Sequence, residues 1–485
     1  MKAIKGIGAI YLTVSWASIM MAQTVTPTPH NPSGTSAPPM LPPAYATVVS
    51  EPSSGTGAPF VSVLDITGDS ISAAQPLVSN PLGFTLDAGG VYANTINSNA
   101  TMNYFPANGT LTSQTVGNDT VTDACTSDIF SPSPEFFTLD IKTSAIDVGL
   151  SGNGKGLFSL ASGITLPQTP VAMTGIAGSH RYMIISQNVP YGVACNNIPS
   201  QVPNDGTVTV YDSSSGTSIS SINVGHCPVY GVTSADGHRS FILNRGDDTV
   251  SVINVDTATL DTTLSIPHTA GKPAGPVYAE FVAKTNRLVV ANYENDTVAI
   301  FNAALDNTHA DGPAFGTAFS VDLWNGATHT TGKHPAGLTV MADGSRAYVA
   351  NQEQGSVDVV DLRLNSVVST LQLNVTGSPV IHPREVAANT PGSTNGLWGN
   401  IWVAAPDSGE VPYINVQGNA VAQPLSCSSG GLCSYNAGNV TGLRLNTDVS
   451  TIAGVHLYTS RMPGAGQPCM APVFTPANLT ACQTH

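Results

Sequence analysis

The sequence predicts an all-β protein that folds as a closed β-propeller of seven or eight four-stranded blades. Charged residues make up only 10% of the 485-residue chain, whereas helical bundles and coiled coils need many Glu, Lys and Arg residues on their solvent-facing sides. The 47 glycines and 35 prolines suit many short strands joined by turns. A strand pattern also recurs about every 40–60 residues, close to the period of propeller blades.

The central unit of the repeat is a pair of strands joined by a short polar loop. It is clearest in YVANQEQGSVDVVD at 348–361, where valines alternate with polar residues in the second half, a pattern typical of a strand with one buried face. The segments LNRGDDTVSVIN at 243–254 and ANYENDTVAIFN at 291–302 repeat it. Eight copies of this strand pair can be aligned between residues 44 and 415, and this count predicts eight blades.

Two further strands flank each central pair. An apolar strand that opens with proline precedes the pair, as in PVYGVT from Pro228, PVYAEF from Pro276 and PAGLTV from Pro335. A turn such as ADGSR separates this first strand from the pair, and a more polar strand follows the pair. The predicted order within a blade is therefore strand, turn, strand, loop, strand, turn, strand.

The two ends of the repeat region predict how the ring closes. Residues 44–77 look like the later strands of a blade, but no proline-led first strand precedes them. The segment VTGLRLN at 440–446 resembles a first strand without a blade of its own. We expect residues 440–446 to complete the blade of residues 44–77, because closure of the ring protects exposed strand edges.

The units at 348–361 and 243–264 resemble the YVTN-type β-propeller repeat of exported bacterial and archaeal surface proteins. The resemblance is sharpest between residues 225 and 373, and most members of that family have seven blades. It extends to propeller lactonases and quinoprotein-like dehydrogenase subunits. It implies the fold and an exported location, but no catalytic residue, because no motif of either enzyme group is recognisable in this chain.

The first 43 residues predict export. Lys2 and Lys5 precede an apolar run at 6–21 that ends at Ala22, so residues 1–22 are predicted to be a signal peptide. An uncleaved N-terminal anchor is the alternative interpretation. Residues 23–43 are rich in Pro, Ser and Thr and are predicted to be a linker, followed by the propeller at 44–460 and a tail at 461–485. No other stretch is long and apolar enough to span a membrane.

Seven cysteines are candidates for disulfide bonds in an exported protein. We pair Cys427 with Cys433 across a glycine-rich loop, and Cys469 with Cys482 in the tail. Cys195 lies in a long loop from which it can reach Cys227, which leaves Cys125 unpaired. No CxxC or HxxxH spacing is present, so the sequence predicts no metal site.

Several polar residues are predicted to lie around the mouth of the central channel. His226, His334 and His382 come just before first strands, and Arg384 and Glu385 follow His382. Neutral imidazoles in such a ring could bind a metal or act as an acid and base, whereas the alternative is that each histidine packs beside a proline. Acidic loops at 244–248 and 292–296 could bind calcium, although Asp and Asn are also ordinary turn formers.

The function predicted from these features is that of a secreted or cell-surface scaffold that binds a protein or a glycan. The long loop 303–334 carries Phe315, Phe319 and Trp324, aromatic residues suited to an interface or to stacking on a sugar. The alternative is an enzyme at the channel mouth, either a lactonase-like hydrolase or a quinoprotein-like oxidoreductase. A net charge of −15 without a basic stripe argues against nucleic acid, and nothing in the sequence requires a cofactor.

Overall fold

The computed structural model describes residues 164–373 apart from gaps at 176–180, 190–194, 196–204, 213–214, 270, 305–313, 329–330 and 342. Outside that part it describes Ser144, residues 382–383 and the strands whose bounds follow. The regular structure of these residues consists of β-strands. No helix of the described part is long and apolar enough to cross a membrane. The predicted signal peptide and linker, residues 1–43, lie outside the described residues.

The strands are numbered in chain order. The first group comprises β1 (Tyr45–Pro52), β2 (Phe60–Asp65), β3 (Ser70–Ile71), β4 (Gln75–Pro76), β5 (Pro81–Leu86), β6 (Tyr92–Asn97), β7 (Thr101–Pro106), β8 (Thr112–Thr115), β9 (Val121–Thr126), β10 (Glu135–Asp140), β11 (Ala145–Ser151) and β12 (Phe158–Thr165). The middle group comprises β13 (Thr169–Gly175), β14 (Arg181–Gln187), β15 (Thr207–Asp212), β16 (Thr217–Asn223), β17 (Pro228–Thr233), β18 (Arg239–Asn244), β19 (Thr249–Asn254), β20 (Thr259–Ser265), β21 (Pro276–Val282), β22 (Arg287–Asn292), β23 (Thr297–Asn302), β24 (Ala318–Asp322), β25 (Pro335–Val340), β26 (Arg346–Asn351), β27 (Ser356–Asp361) and β28 (Ser366–Gln372). The last group comprises β29 (Glu385–Asn389), β30 (Asn400–Ala404), β31 (Glu410–Val411), β32 (Tyr413–Asn415), β33 (Ala420–Val421), β34 (Cys433–Ala437), β35 (Val440–Arg444), β36 (Ile452–Thr459), β37 (Cys469–Phe474) and β38 (Leu479–Thr484).

Successive strands assemble into four-stranded antiparallel sheets, as the repeat predicts. In the best-described part these are sheet D (β13–β16), sheet E (β17–β20), sheet F (β21–β24) and sheet G (β25–β28), in each of which neighbours in sequence are neighbours in the sheet. Sheets B (β5–β8), C (β9–β12) and H (β29, β30, β32, β33) have the same arrangement. The first strands of adjacent sheets D, E, F, G and H contact one another in that order.

The proline that opens a first strand is followed by a β-bulge. In sheets B, D, E, F and G the pairing with the second strand skips one residue directly after that proline. Proline lacks an N–H group and is tolerated in sheets mainly at strand starts and bulges. The bulge therefore accommodates a proline as the first or second residue of these five strands without loss of register farther along.

The hydrophobic core lies between the sheets. The second and third strands of sheets E, F and G are buried along almost their whole length, whereas most residues of the fourth strands are exposed or half-buried. One continuous cluster joins sheets E, F and G through large side chains such as Tyr230, Phe241 and Phe301. This pattern matches the predicted blade, in which the outermost strand is the polar one.

The first strand of the chain pairs with a different C-terminal segment than predicted. β1 pairs antiparallel with β36 (Ile452–Thr459), whereas the predicted partner, residues 440–446, contains β35, which pairs with β31 and β34. β1 and β36 are both eight residues long, but β35 has only five. The longer β36 therefore pairs with more of the backbone N–H and C=O groups along the edge of β1 than β35 could. The resemblance of residues 440–446 to a first strand did not indicate this difference.

The predicted tail contains a hairpin. Strands β37 and β38 pair antiparallel along their full length, and the hairpin contacts the first strands β5, β13 and β17. Cys469 and Cys482 lie in these two strands, but their side chains are outside the described part, so their bond remains a prediction.

Candidate functional site

The site residues lie at the end of the sheets where first strands begin and second strands end, here called the upper face. In sheets E, F and G the second strand ends at a buried asparagine: Asn244, Asn292 or Asn351. Its Nδ2 atom donates to the hydroxyl five residues later, at 3.0 Å in all three sheets. This local bond closes the loop to the third strand and gives the upper face a repeated shape.

The residue before each third strand has a left-handed backbone. It is Asp248 (φ 54°), Asp296 (φ 57°) or Gly355 (φ 65°), and Asp, Asn and Gly are the residue types that adopt this conformation most readily. Asp248 Oδ1 accepts the backbone N–H of Gly275 at 2.8 Å. Each aspartate side chain thereby binds the start of the following sheet.

Asp296 makes the most extensive of these contacts. Its Oδ1 atom accepts the backbone N–H groups of Lys333 at 2.8 Å and His334 at 2.9 Å, and its Oδ2 atom accepts the indole N–H of Trp324 at 3.1 Å. The carboxylates of the two loops considered for calcium therefore accept N–H bonds in this structure. Among the described residues, no group of three or more His, Cys, Asp or Glu residues could hold a metal ion.

The three predicted channel-mouth histidines occupy two different positions. His334 and His382 directly precede the proline, and their Nδ1 atoms donate to the carbonyl oxygens of Tyr293 (3.1 Å) and Gln352 (3.0 Å). His226 stands one residue earlier. Cys227 occupies the pre-proline position in sheet E.

His226 is held by two carboxylates. Its Nδ1 atom lies 2.9 Å from Asp247 Oδ1 and 3.2 Å from Asp205 Oδ1, and its backbone N–H donates to Asp247 Oδ2 at 2.7 Å. Asp205 lies near the end of the long loop that precedes β15, so this contact joins the end of that loop to the start of sheet E.

A disulfide bond fixes the same loop at a second point. Cys195 and Cys227 are bonded, with their Cα atoms 5.6 Å apart, in agreement with the predicted pair. Cys227 is buried and has a left-handed backbone, φ 49°. Most of the remaining loop lies outside the described residues.

The predicted bond between Cys427 and Cys433 stays a prediction. Cys427 lies outside the described residues, and the side chain of Cys433 is not described.

Two predicted channel-mouth residues fall where the structure describes no side chain. Arg384 lies outside the described residues, and Glu385 opens β29 with a side chain that is not described. A different group does form on the upper face. Arg245 Nη2 lies 2.6 Å from Glu294 Oε1, and its guanidinium lies over the ring of Tyr293, 5.6 Å from the centroid.

The ring of Tyr293 in turn packs against His334, with 4.6 Å between ring centroids. Sequence analysis missed this Arg–Tyr–His series. Arg245 and Tyr293 each directly follow one of the buried asparagines, so alignment of the repeats by those asparagines would have placed them on the upper face.

The three aromatic residues of the loop 303–334 lie apart along sheet F. Phe315 precedes β24 and packs partly against the core, and Phe319 lies within β24 with an exposed side chain. Trp324 follows β24 at the upper face and is half-buried. The three residues therefore differ in their position along the sheet, and they remain candidates for partner binding.

Trp324 lines a cleft between the outer strands of sheets F and G. The cleft has a volume of about 320 Å³, within the size range of small-molecule sites. Its walls are the segment between β24 and β25, the loop before β27 and part of β28. They supply Leu323, Trp324, Asn325, Lys333, Gln354, Val367, Val368, Ser369 and Thr370.

A buried ion pair lies beside this cleft. Lys333 Nζ is 2.8 Å from Asp358 Oδ2 and donates to the carbonyl oxygen of Leu323 at 2.7 Å, and both charged side chains are almost fully buried. Asp358 also accepts hydrogen bonds from Asn351 and Thr370. Lys333 Nζ lies over the Trp324 ring, 4.9 Å from its centroid.

No protein-family model and no curated protein sequence matches the chain. Three solved structures are similar in fold. Dihydro-heme d1 dehydrogenase NirN in complex with DHE has a TM-score of 0.58 at 11% identity and covers 80% of this chain and 75% of its own. Saccharomyces cerevisiae Sqt1 has a TM-score of 0.53 at 10% identity, and the match covers 75% of this chain and 95% of Sqt1. Citrobacter koseri AztD has a TM-score of 0.53 at 10% identity, and the match covers 86% of this chain and 98% of AztD.

All three are β-propeller-like proteins. Because the identities are so low, the likeness concerns the fold alone and carries no residue role. The chain therefore has a β-propeller-like fold made of four-stranded antiparallel sheets.

Proposed function

We propose that this chain is a secreted or cell-surface β-propeller that binds a protein or glycan partner through its upper face. One observation carries the proposal: ionisable side chains of that face are already held in place. His226 lies between two carboxylates, and Arg245 is paired with Glu294 and stacked on Tyr293. A surface ordered in advance loses little conformational freedom when a partner binds.

Two features support a location outside the cytoplasm. The Cys195–Cys227 bond is of a kind that persists in oxidising compartments and is rare in the cytosol. The predicted signal peptide at 1–22 is consistent with the same compartment. The resemblance to YVTN-type repeats agrees with both and remains part of the proposal.

A binding assay on cell envelopes of the producing organism tests the function. The secreted protein should bind saturably, and the double variant Arg245→Glu, Lys272→Glu on the upper face should bind at least about tenfold more weakly. Its matched control is Arg363→Glu, Lys284→Glu at the opposite end, which likewise reverses one ion-paired arginine and one exposed lysine. Equal loss in both variants, or no saturable binding by the parent protein, would contradict the proposal.

We further propose that the sheets close into a ring of eight blades. The pairing of β1 with β36 and the contact of β36 with β29 of sheet H support closure, and sheet A (β1–β3 with β36 and β4) is the eighth unit.

Truncation after residue 451 tests ring closure. It removes β36 together with the hairpin β37–β38. Cooperative thermal unfolding should be abolished, because β1 then has an open edge and the first strands lose the hairpin that contacts them. Deletion of residues 23–40 should leave the melting temperature unchanged within about 2 °C. A truncated chain that melts like the parent protein would exclude the closed ring.

The channel-mouth enzyme stays a prediction from the sequence. No observation on the described residues favours it over the binding scaffold.

A further inference from the structure

We infer that the cleft between β24 and β28 is a carbohydrate site that takes a neutral sugar. The inference rests on the proposed binding function and names the chemistry of one ligand. It starts from Trp324, whose indole N–H is bound to the buried carboxylate of Asp296. An aromatic ring fixed in a concave site provides the flat surface against which the C–H groups of a sugar ring pack.

The opposite wall of the cleft is shaped by a β-bulge. The pairing of β27 with β28 shifts between Val359 and Val360, so that Val368 has no direct partner. A bulge redirects side chains and bends the strand. Val367 and Val368 both line the cleft, and Val368 is 49% exposed. The wall opposite Trp324 is therefore apolar at two consecutive positions, Val367 and Val368.

The polar groups of the cleft are held in place by the protein. Gln354 Oε1 accepts the hydroxyl of Ser356 at 2.9 Å, and Thr370 donates to Asp358. Asn325 and Ser369 add a further amide and hydroxyl to the lining. Amide and hydroxyl groups beside an aromatic ring suit a ligand that carries several hydroxyl groups.

The charges of the cleft exclude charged ligands. Lys333 Nζ lies 4.9 Å from the centroid of the Trp324 ring, so an organic cation in the cleft would be repelled by its positive charge. Its own charge is balanced by Asp358 at 2.8 Å, so an anion meets no unpaired positive charge there. A neutral polyhydroxy compound with apolar C–H faces is the ligand class that remains.

The test is calorimetric titration of the full secreted protein with glucose, galactose, mannose and N-acetylglucosamine, and with the charged sugars glucuronate and glucosamine. We expect saturable binding of at least one neutral sugar with a dissociation constant of about 0.1–10 mM. The charged sugars should bind at least about tenfold more weakly. Equal or stronger binding of the charged sugars, or no saturable binding of any neutral sugar, overturns the inference.

Two matched variants test the location of the site. Val368→Arg should weaken sugar binding at least about tenfold by filling the cleft. Ile219→Arg is the control, because Ile219 is the unpaired bulge residue of β16, is 44% exposed and does not line the cleft. Retained binding in Val368→Arg places the site elsewhere and overturns the inference. Because envelope binding is tested with different variants, a failed sugar titration beside intact envelope binding refutes the cleft without refuting the scaffold.

Discussion

The junction between sheets E and F and the junction between sheets F and G use the same loop in different ways. Asp248 and Asp296 have nearly the same left-handed backbone. Asp248 accepts the N–H of Gly275 at the E–F junction, whereas Asp296 accepts two backbone N–H groups and an indole N–H at the F–G junction. The repeat therefore sets the backbone shape, and the next segment sets how many N–H donors meet the carboxylate.

The F–G junction also contains the buried ion pair. Lys333 belongs to the segment that links sheet F to sheet G, and Asp358 lies on β27 of sheet G. At the position of Asp358, sheet E has Ser251 and sheet F has Ala299. Sheet G therefore differs from sheets E and F at this position, and its carboxylate pairs with Lys333, which lines the cleft. In this molecule the positions that repeat between sheets form the scaffold, and positions that differ between sheets lie at the candidate ligand site.

The largest effect is expected for Lys333→Met. This change removes the partner of a buried carboxylate, and an uncompensated buried charge costs about 3–5 kcal/mol of unfolding free energy. The double variant Lys333→Met, Asp358→Asn should recover most of the loss. Urea denaturation at neutral pH measures both, with exposed Lys272→Met as the control that changes little. A cost below about 1 kcal/mol for Lys333→Met would show that the pair does not distinguish the F–G junction.

A smaller effect is expected from replacing the two loop aspartates. Asn tolerates the left-handed backbone, so Asp296→Asn and Asp248→Asn alter the acceptors and keep the turn. Asp296→Asn should cost about 2–3 kcal/mol, because an amide NH₂ would face one of its N–H donors, and Asp248→Asn about 1 kcal/mol. The two variants are compared by denaturant unfolding. Equal costs would remove the difference between the junctions.

The smallest effect concerns the turn at the opposite end of sheet G. Burial by itself raises the pKa of Asp361, but hydrogen bonds from the Arg363 guanidinium and from the backbone N–H groups of Leu364 and Arg363 outweigh it, so this pKa lies below its usual value. The corresponding residue of sheet E is Asn254, which accepts the backbone N–H groups of Asp256 and Thr257. The two sheets therefore differ in whether this turn responds to pH.

A group with a lowered folded pKa stabilises the fold above its unfolded pKa, about 3.9 for Asp, and this contribution is lost as the pH falls through the folded pKa. Asp361→Asn should cost up to about 1 kcal/mol at pH 7, and the difference from the parent protein should shrink as the pH falls below about 4. Unfolding measured from pH 7 to pH 2.5 tests this. A constant difference across that range would contradict the assignment of the lowered pKa.

Local patterns predicted the sheets well because the signals lie within each repeat. Proline at the start of the first strand and the polar loop of the central pair are close in sequence, and the described sheets follow the predicted strand order. The Cys195–Cys227 bond was also predictable, because both cysteines lie near the same end of neighbouring units. The partner of β1 was not, because two C-terminal segments were apolar enough and only their fit to β1 distinguishes them.

Local sequence patterns were sufficient to predict the all-β class, the four-strand unit and the loops that carry polar residues, since periods of two residues and turn-forming residues act locally. Which of those polar residues meet depends on the packing of the sheets. Asp296 and Trp324 are 28 residues apart, and Arg245 and Glu294 are 49 apart. Such contacts depend on how adjacent sheets pack, and no local pattern encodes that geometry. The same reason explains why Trp324 was predictable as a candidate for partner binding, whereas the cleft around it was not.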